Sequence, residues 1–379
     1  MIERLLERYD ARVFELGRPE ARLRIEGLAD EPVDVLLAGD QARVVPTEGR
    51  PDALLRADRA TWASLIDDPR AGMEAFRRGR LRVRRDLHLG VGFLAATAAQ
   101  HAGLRFATVD TAEGDLSTLE AGEGPPVVLL HGLGATKVSF LPTVAALAGS
   151  YRAIAIDLPG FGDSDKPLTG AYDAAFFARA VVALLDALGF ERAHLVGNSM
   201  GGRVAIEVGL TAPERVGALG LLTPSLAWLR DRPWAPLLRL VPPQLGALQP
   251  APRGLVEAIV GRAIGRDPEP WTAAGVDEFL RSYLTPAGRA AFYAAARNIY
   301  LEEPHGEDGF WTRLAALRAP SLFVWGRKDT LVPIKFAEHV RRVLPDAEQL
   351  ELDCGHVPQL EAPRETHAAL ARLFAEHPA

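Results

Sequence analysis

Gly197-Asn198-Ser199-Met200-Gly201 sets a serine between two glycines in the pattern G-x-S-x-G, directly after the apolar run 193–196 and before a helix-compatible stretch over 202–210. A serine on so sharp a strand-to-helix turn presents its hydroxyl to a cleft. The turn needs small neighbours, which is the role expected of Gly197 and Gly201, while Gly202 lets helix and sheet pack closely. The chemistry this position suits is nucleophilic attack on a carbonyl carbon.

A serine hydroxyl is a poor nucleophile at neutral pH, so it needs an imidazole to take its proton and a carboxylate to orient that imidazole. The apolar run 321–325 ends in Gly326-Arg327-Lys328-Asp329, and the run 349–352 leads into Asp353-Cys354-Gly355-His356-Val357-Pro358. Both are loops after strands, and the order serine, aspartate, histidine is the one expected with a nucleophile on such an elbow. Asp353 competes with Asp329 for the acid. Three positions before His356, however, it is too close in sequence to reach the far ring nitrogen comfortably, so Asp329 is preferred. His194, inside a strand beside the elbow, reads as a core histidine with its hydrogen bonds satisfied.

Acyl chemistry also needs donors aimed at the developing oxyanion. The backbone N–H of Met200, next after the serine, is one candidate. The other is Leu133, in His131-Gly132-Leu133-Gly134 after the apolar run 127–130. Gly132 and Gly134 let this backbone curl close to a reacting carbonyl, and His131 is expected to brace the loop rather than act as a base. The scheme requires no cofactor and no metal.

The elements that must hold these residues follow from the pattern of the chain. From Leu104 onward, apolar strand runs (127–130, 153–156, 193–196, 219–222, 321–325) alternate with helical stretches such as 176–188, as a parallel sheet covered on both faces demands. Residues from about 225 to 305 break the alternation. They are rich in proline, hold Trp228, Trp234 and Trp271, and read as an inserted helical cap over the catalytic end of the sheet. Residues 1–100 follow another grammar: short alternating segments over 20–57 that suggest antiparallel strands, a helix capped by Asp58 that carries Trp62, another opened by Asp68-Pro69, and a strand over 81–83. Two domains are therefore expected, 1–100 and 101–379. Arg80, Arg82 and Arg84 fall on one face of the last N-terminal strand and are read as a solvated edge that discourages aggregation, with anionic head groups as the alternative partner.

Composition bounds the function. Apolar residues make up 48% and charged residues 24% of 379, with a net charge of -6, which gives no global electrostatic case for nucleic acid or an anionic membrane. A single cysteine, Cys354, allows no internal disulfide. The N-terminus lacks a signal-peptide pattern and no window approaches a membrane span, so a cytoplasmic location and a small-molecule partner are expected.

Over about 104–376 the chain resembles the α/β-hydrolase superfamily, in its serine-hydrolase branch. Besides the elements above, the resemblance rests on Asp157-Leu158-Pro159-Gly160-Phe161-Gly162-Asp163-Ser164, and on Gly355-His356 followed by Pro358, Glu361 and Pro363. It implies an α/β fold with a mostly parallel, doubly wound sheet and a helical cap, a triad of Ser199, Asp329 and His356, and oxyanion donors at Leu133 and Met200. The expected activity is hydrolysis of a carboxylic ester through an acyl-enzyme. C–C bond hydrolysis, acyl transfer, a perhydrolase reaction and a non-catalytic binding role on the same scaffold are the alternatives. The N-terminal hundred residues resemble the sterol carrier protein 2 (SCP2) family in Ala57-Asp58, Trp62, Asp68-Pro69, Ala75-Phe76, Gly79-Arg80-Leu81 and Asp86, with Arg85 where that family commonly has a glycine. That resemblance implies a small α+β domain able to hold a lipid, and with it a lipid-like ester as substrate.

Overall fold

The alternation of Leu23, Ile25, Val35 and Leu37 with polar residues builds the first of two sheets in a computed structural model, which describes residues 1–67, 71–98, 103–227 and 269–379 with isolated positions between 240 and 258. Strands β1 (Glu20–Glu26), β2 (Val33–Ala38), β3 (Gln41–Val45), β4 (Ala53–Ala57) and β5 (Leu81–Arg84) run in the order β3-β2-β1-β4-β5. The strands are antiparallel as expected except at one pair: β4 lies parallel to β1. The reason is topological, since the chain leaves the β1-β2-β3 meander and returns to the free side of β1. Asp58 caps the helix Arg59–Asp67 by accepting from Thr61 N at 2.7 Å, and that helix buries Trp62, whose indole N–H donates to Glu26 O at 2.9 Å. Asp68-Pro69 lies outside the described residues.

Helix Leu87–Ala96 begins at Asp86, whose side chain accepts from Leu89 N, and it closes on the sheet through Gly90, where a Cβ would fall 2.4 Å from Val83. Strand β5 is an edge, and Arg80 and Arg82 are exposed along it as expected. Arg84 departs from that reading: its Nε lies 2.7 Å from a carboxylate oxygen of buried Asp277, far along the chain. The residue in the glycine-favouring position explains itself too. Arg85 has φ of 78°, the left-handed region in which a side chain is strained.

The second sheet is built from β6 (Arg105–Thr111), β7 (Gly114–Ala121), β8 (Pro126–Leu130), β9 (Arg152–Ile156), β10 (Ala193–Asn198), β11 (Val216–Leu222), β12 (Ser321–Gly326) and β13 (Glu348–Leu352), in the order β13-β12-β11-β10-β8-β9-β7-β6. From β8 to β13 neighbouring strands are parallel; β6 and β7 are an antiparallel edge. Those two edge strands carry alternating polar residues and so escape a search for apolar runs. Residues 13–15 lie along β6, with Phe106 N donating to Val13 O at 2.8 Å and the rings of Phe14 and Phe106 meeting edge to face at 5.5 Å. The apolar cluster of the N-terminal sheet thus continues through Phe14, Phe93 and Phe106 into one face of the large sheet.

Beyond the sheet, helices Glu269–Tyr283 and Pro286–Tyr300 fall in the span expected to form the cap and are joined by a cluster of Phe279, Tyr283, Phe292 and Tyr293. Trp228 and Trp234 lie outside the described residues, as does the side chain of Trp271. Among the described residues no helix is long and apolar enough to cross a membrane. His194 corrects its expectation. It is buried in β10 and stacked on Phe374 at 4.3 Å, yet neither ring nitrogen has a hydrogen-bonding partner among the described residues; burial pushes its pKa down to about 4, so the ring is neutral.

Candidate active site

Six consecutive parallel strands end on one side of the sheet, and the loops that follow them carry the residues singled out by type and spacing. Ser199 leaves β10 with φ of 54° and ψ of -115° and opens the helix Met200–Thr211. Holding a serine there costs about 1–3 kcal/mol, which the surrounding packing must impose. The glycines show how: a Cβ on Gly197 would fall 2.2 Å from Gly201 C, one on Gly201 2.0 Å from Leu130 O, and one on Gly202 2.8 Å from Pro224 Cβ. Ser199 itself is buried at the bottom of this arrangement.

Across β11, the loops after β12 and β13 bring Asp329 and His356 together, with Asp329 Oδ2 at 2.7 Å from His356 Nδ1. The other carboxylate oxygen accepts from Leu331 N at 2.7 Å and Val332 N at 2.9 Å, which fixes the plane of the group. With Nδ1 engaged, Nε2 is the nitrogen available for proton transfer. The competing Asp353 is exposed and pairs with Lys328 at 2.8 Å. Glu361 frames the histidine loop from both sides, accepting from Gly355 N at 2.6 Å and Val357 N at 2.9 Å.

Three residues at this site escape the sequence reading. Asn198 Nδ2 donates to Leu222 O, Thr223 Oγ1 and His356 O, and Thr223 Oγ1 also donates to His356 O at 2.8 Å, so the elbow, the end of β11 and the histidine loop are laced together. Ser225 follows β11, and its Oγ lies 3.1 Å from Ser199 Oγ; its N–H donates to Ser199 O at 2.9 Å. The one signal available in the sequence was position: Thr223 and Ser225 lie just past the end of the strand beside the elbow.

The glycine turn after β8 sits against Ser199. A Cβ on Gly132 would lie 3.3 Å from Ser199 Cβ, which places the Leu133 N–H and the Met200 N–H on two segments that flank the serine. His131 links the turn to the loop after β9: Nε2 accepts from Leu158 N at 3.0 Å, so Nδ1 carries the proton and donates to Gly132 O at 2.8 Å. Burial holds its pKa below the ordinary value, keeping it neutral. In the same turn Gly134 has φ of 76°, and a Cβ there would fall 2.7 Å from the ring of Phe279 and 3.2 Å from that of Phe292, so these aromatics rest on the loop.

Behind this loop lies a buried charge network. Lys137 Nζ meets Asp157 at 2.6 Å and Asp163 at 3.4 Å with no exposed surface of its own. Burial opposes its charge, but the two carboxylates outweigh that penalty and hold its pKa above the ordinary value. On the far side of the elbow helix, fully buried Arg203 pairs with Glu207 and Glu302 and lies over the ring of Phe310 at 4.9 Å, tying that helix to the chain at 302–310.

Comparison with known proteins adds relatives to this geometry. Residues 125–363 match the family model described as alpha/beta hydrolase fold, and residues 1–124 lie outside that match. The chain is 33% identical over 263 residues to the dihydrolipoyllysine-residue acetyltransferase component of an acetoin cleaving system from Pseudomonas putida, covering 67% of this chain and 64% of that protein. It is 32% identical over 266 residues to a 2-hydroxy-6-oxo-6-phenylhexa-2,4-dienoate hydrolase from Comamonas testosteroni, covering 64% of this chain and 85% of the relative. Among solved structures, a bacterial membrane phospholipase A aligns with a TM-score of 0.61 and 28% identity over 73% of this chain and 87% of that one.

Proposed function

Since the chain belongs to the alpha/beta hydrolase fold family, we propose that it hydrolyses a carboxylic ester bearing an apolar or lipid-like acyl group, with Ser199 as nucleophile, His356 as base and Asp329 as the acid that orients it. Ser199 Oγ attacks the carbonyl carbon while His356 Nε2 takes the hydroxyl proton. The tetrahedral oxyanion is held by the N–H groups of Leu133 and Met200. Its collapse breaks the ester bond, His356 returns the proton to the departing alcohol, and a water activated by the same imidazole releases the acid. The observation that carries this reading is the 2.7 Å pair between His356 Nδ1 and Asp329, set beside a serine in a strained elbow. The apolar class rests on Phe279 and Phe292, whose rings lie against Gly134 beside the proposed oxyanion donors.

A second reading has its own support. The substrate in the Comamonas relative's name carries a ketone and no ester, so its hydrolysis must break a carbon–carbon bond. The same serine, imidazole and oxyanion donors suit that reaction, because fold and triad fix only the carbonyl chemistry.

The experiment is a panel of nitrophenyl esters of increasing chain length together with 6-oxo-dienoates, given to the full protein and to Ser199→Ala. Ester turnover that rises with chain length and falls by at least about a thousandfold in Ser199→Ala supports the first reading. Turnover confined to the oxo-dienoates favours the second. If nothing is turned over and a fluorophosphonate leaves Ser199 unlabelled, the scaffold is a binding protein. On the SCP2 resemblance we also assign residues 1–100 a lipid-holding role. A fatty-acid titration that leaves Trp62 fluorescence unchanged counts against that assignment.

A further inference from the structure

The N-terminal module grips the cap at one helix turn, and the same turn touches the loop beside Ser199. Glu278, in the cap helix Glu269–Tyr283, is buried, and one of its carboxylate oxygens accepts from Leu87 N at 2.7 Å and His88 N at 3.2 Å. These are the first two residues of helix Leu87–Ala96, whose opening amides have no partner inside the helix. Asp86 satisfies the third, Leu89 N, at 2.8 Å. A carboxylate from the cap therefore completes the N-terminus of a helix in the other module, where the helix dipole favours a negative charge.

Next to it, Asp277 Oδ2 accepts from Arg84 Nε and from Arg85 N, each at 2.7 Å. Arg85 itself has the strained φ of 78°. Two consecutive acidic residues on one cap helix thus engage three N-terminal backbone amides, those of Arg85, Leu87 and His88, plus the guanidinium of Arg84. This is docking by directed hydrogen bonds, which fixes geometry more tightly than apolar contact does.

The second oxygen of Glu278 faces the hydrolase core. It accepts from Thr136 Oγ1 at 3.2 Å and from Arg281 at 3.1 Å. Arg281 also pairs with Asp163, which shares Lys137 with Asp157. Thr136 closes the turn that begins at His131, and Phe279, the residue after Glu278, packs its ring on Gly134 in the same turn. One carboxylate is therefore shared between the N-terminal module and the loop that supplies Leu133 N–H.

We infer that Glu278 is a positioning residue through which residues 84–88 of the N-terminal module set the oxyanion loop, so that the module acts as a built-in activator of the site. The catalytic part of this inference rests on the reading of Ser199 as a nucleophile. The mechanical part, that the module orders residues 131–137, does not.

The test uses full-length protein, three single variants and one double variant: Glu278→Ala, Thr136→Val, which removes only the loop side of the link, Arg84→Ala, which loosens the module side without touching Thr136, and Glu278→Ala combined with Thr136→Val. Backbone hydrogen exchange and steady-state kinetics are measured on each. Amides of 131–137 are expected to exchange at least about tenfold faster in Glu278→Ala and a few-fold faster in Arg84→Ala. On the best substrate, kcat falls roughly tenfold in Glu278→Ala and in Thr136→Val with KM within about twofold, and the double variant is no worse than Glu278→Ala alone. Faster exchange confined to 84–96, with 131–137 as in wild type, overturns the inference and leaves Glu278 as a helix cap. Additive losses in the double variant overturn it as well. If Glu278→Ala fails to fold, Glu278→Gln, which keeps the side-chain size, takes its place in the same comparison. A wild type that neither turns over substrate nor reacts with a fluorophosphonate sinks the hydrolase reading, while the exchange result still decides whether the module orders the loop.

Discussion

The hydroxyl of Ser199 lies 3.1 Å from the hydroxyl of Ser225, so the hydrogen bond described for the proposed nucleophile runs to the neighbouring strand end and not to His356. The imidazole is already oriented by Asp329. For Ser199 to act as the proposed nucleophile, its hydroxyl must give up this hydrogen bond for one to His356. Such hydrogen bonds in free enzymes commonly tighten only when substrate arrives.

Removing that competing partner gives a direct prediction. A neutral hydrogen bond contributes about 0.5–1.5 kcal/mol, so Ser225→Ala should label with a fluorophosphonate about two- to tenfold faster than wild type. Slower labelling would instead make Ser225 a helper of the attack. The comparison needs only labelling time courses at equal probe concentration.

Asp329 has two tasks that one substitution separates. Asp329→Asn keeps an acceptor for Leu331 N and Val332 N while no longer enforcing the imidazole tautomer that donates from Nδ1. It is expected to lower kcat by about 10³–10⁴ with little change in urea unfolding. An activity near that of wild type would assign the acid role elsewhere.

Arg85 offers a test of backbone strain. At φ of 78° a side chain costs about 1 kcal/mol relative to glycine, and the contact with Asp277 uses only the backbone N–H. Arg85→Gly should therefore stabilise the protein by about 0.5–1 kcal/mol in urea unfolding. Destabilisation would mean that the arginine side chain itself supports the docking.

Stability against pH carries a signature of His194, held neutral by burial with a pKa near 4. An unfolded histidine takes up its proton below about pH 6.5, whereas this one does not until about pH 4. Its contribution is fully present above the unfolded value and is lost as pH falls through that window. His194→Phe, which keeps an aromatic ring against Phe374, should flatten the slope of stability between pH 4 and 6.5 by up to about 1.4 kcal/mol per pH unit. An unchanged slope would show that the ring charges in the native state.

The sequence alone determined the elements whose information is local. Apolar runs marked the parallel strands β8 to β12 because both faces of such strands are buried, and the glycines around Ser199 marked the elbow because no larger residue fits there. Asp329 and His356 were legible from their places after strands, since loops at one end of a parallel sheet converge. The tertiary structure decided everything that depends on partners far apart in the chain. That Asp353 is exposed, that Asn198 and Thr223 lace the elbow to the histidine loop, and that Arg84 leaves the solvated row to meet Asp277 are products of packing between distant segments. Glu278 is the clearest case: nothing in its neighbourhood along the helix separates it from a solvated glutamate. Its role exists only because folding brings Leu87, His88 and Thr136 within hydrogen-bonding reach of one carboxylate, and a buried charge persists only where such partners gather.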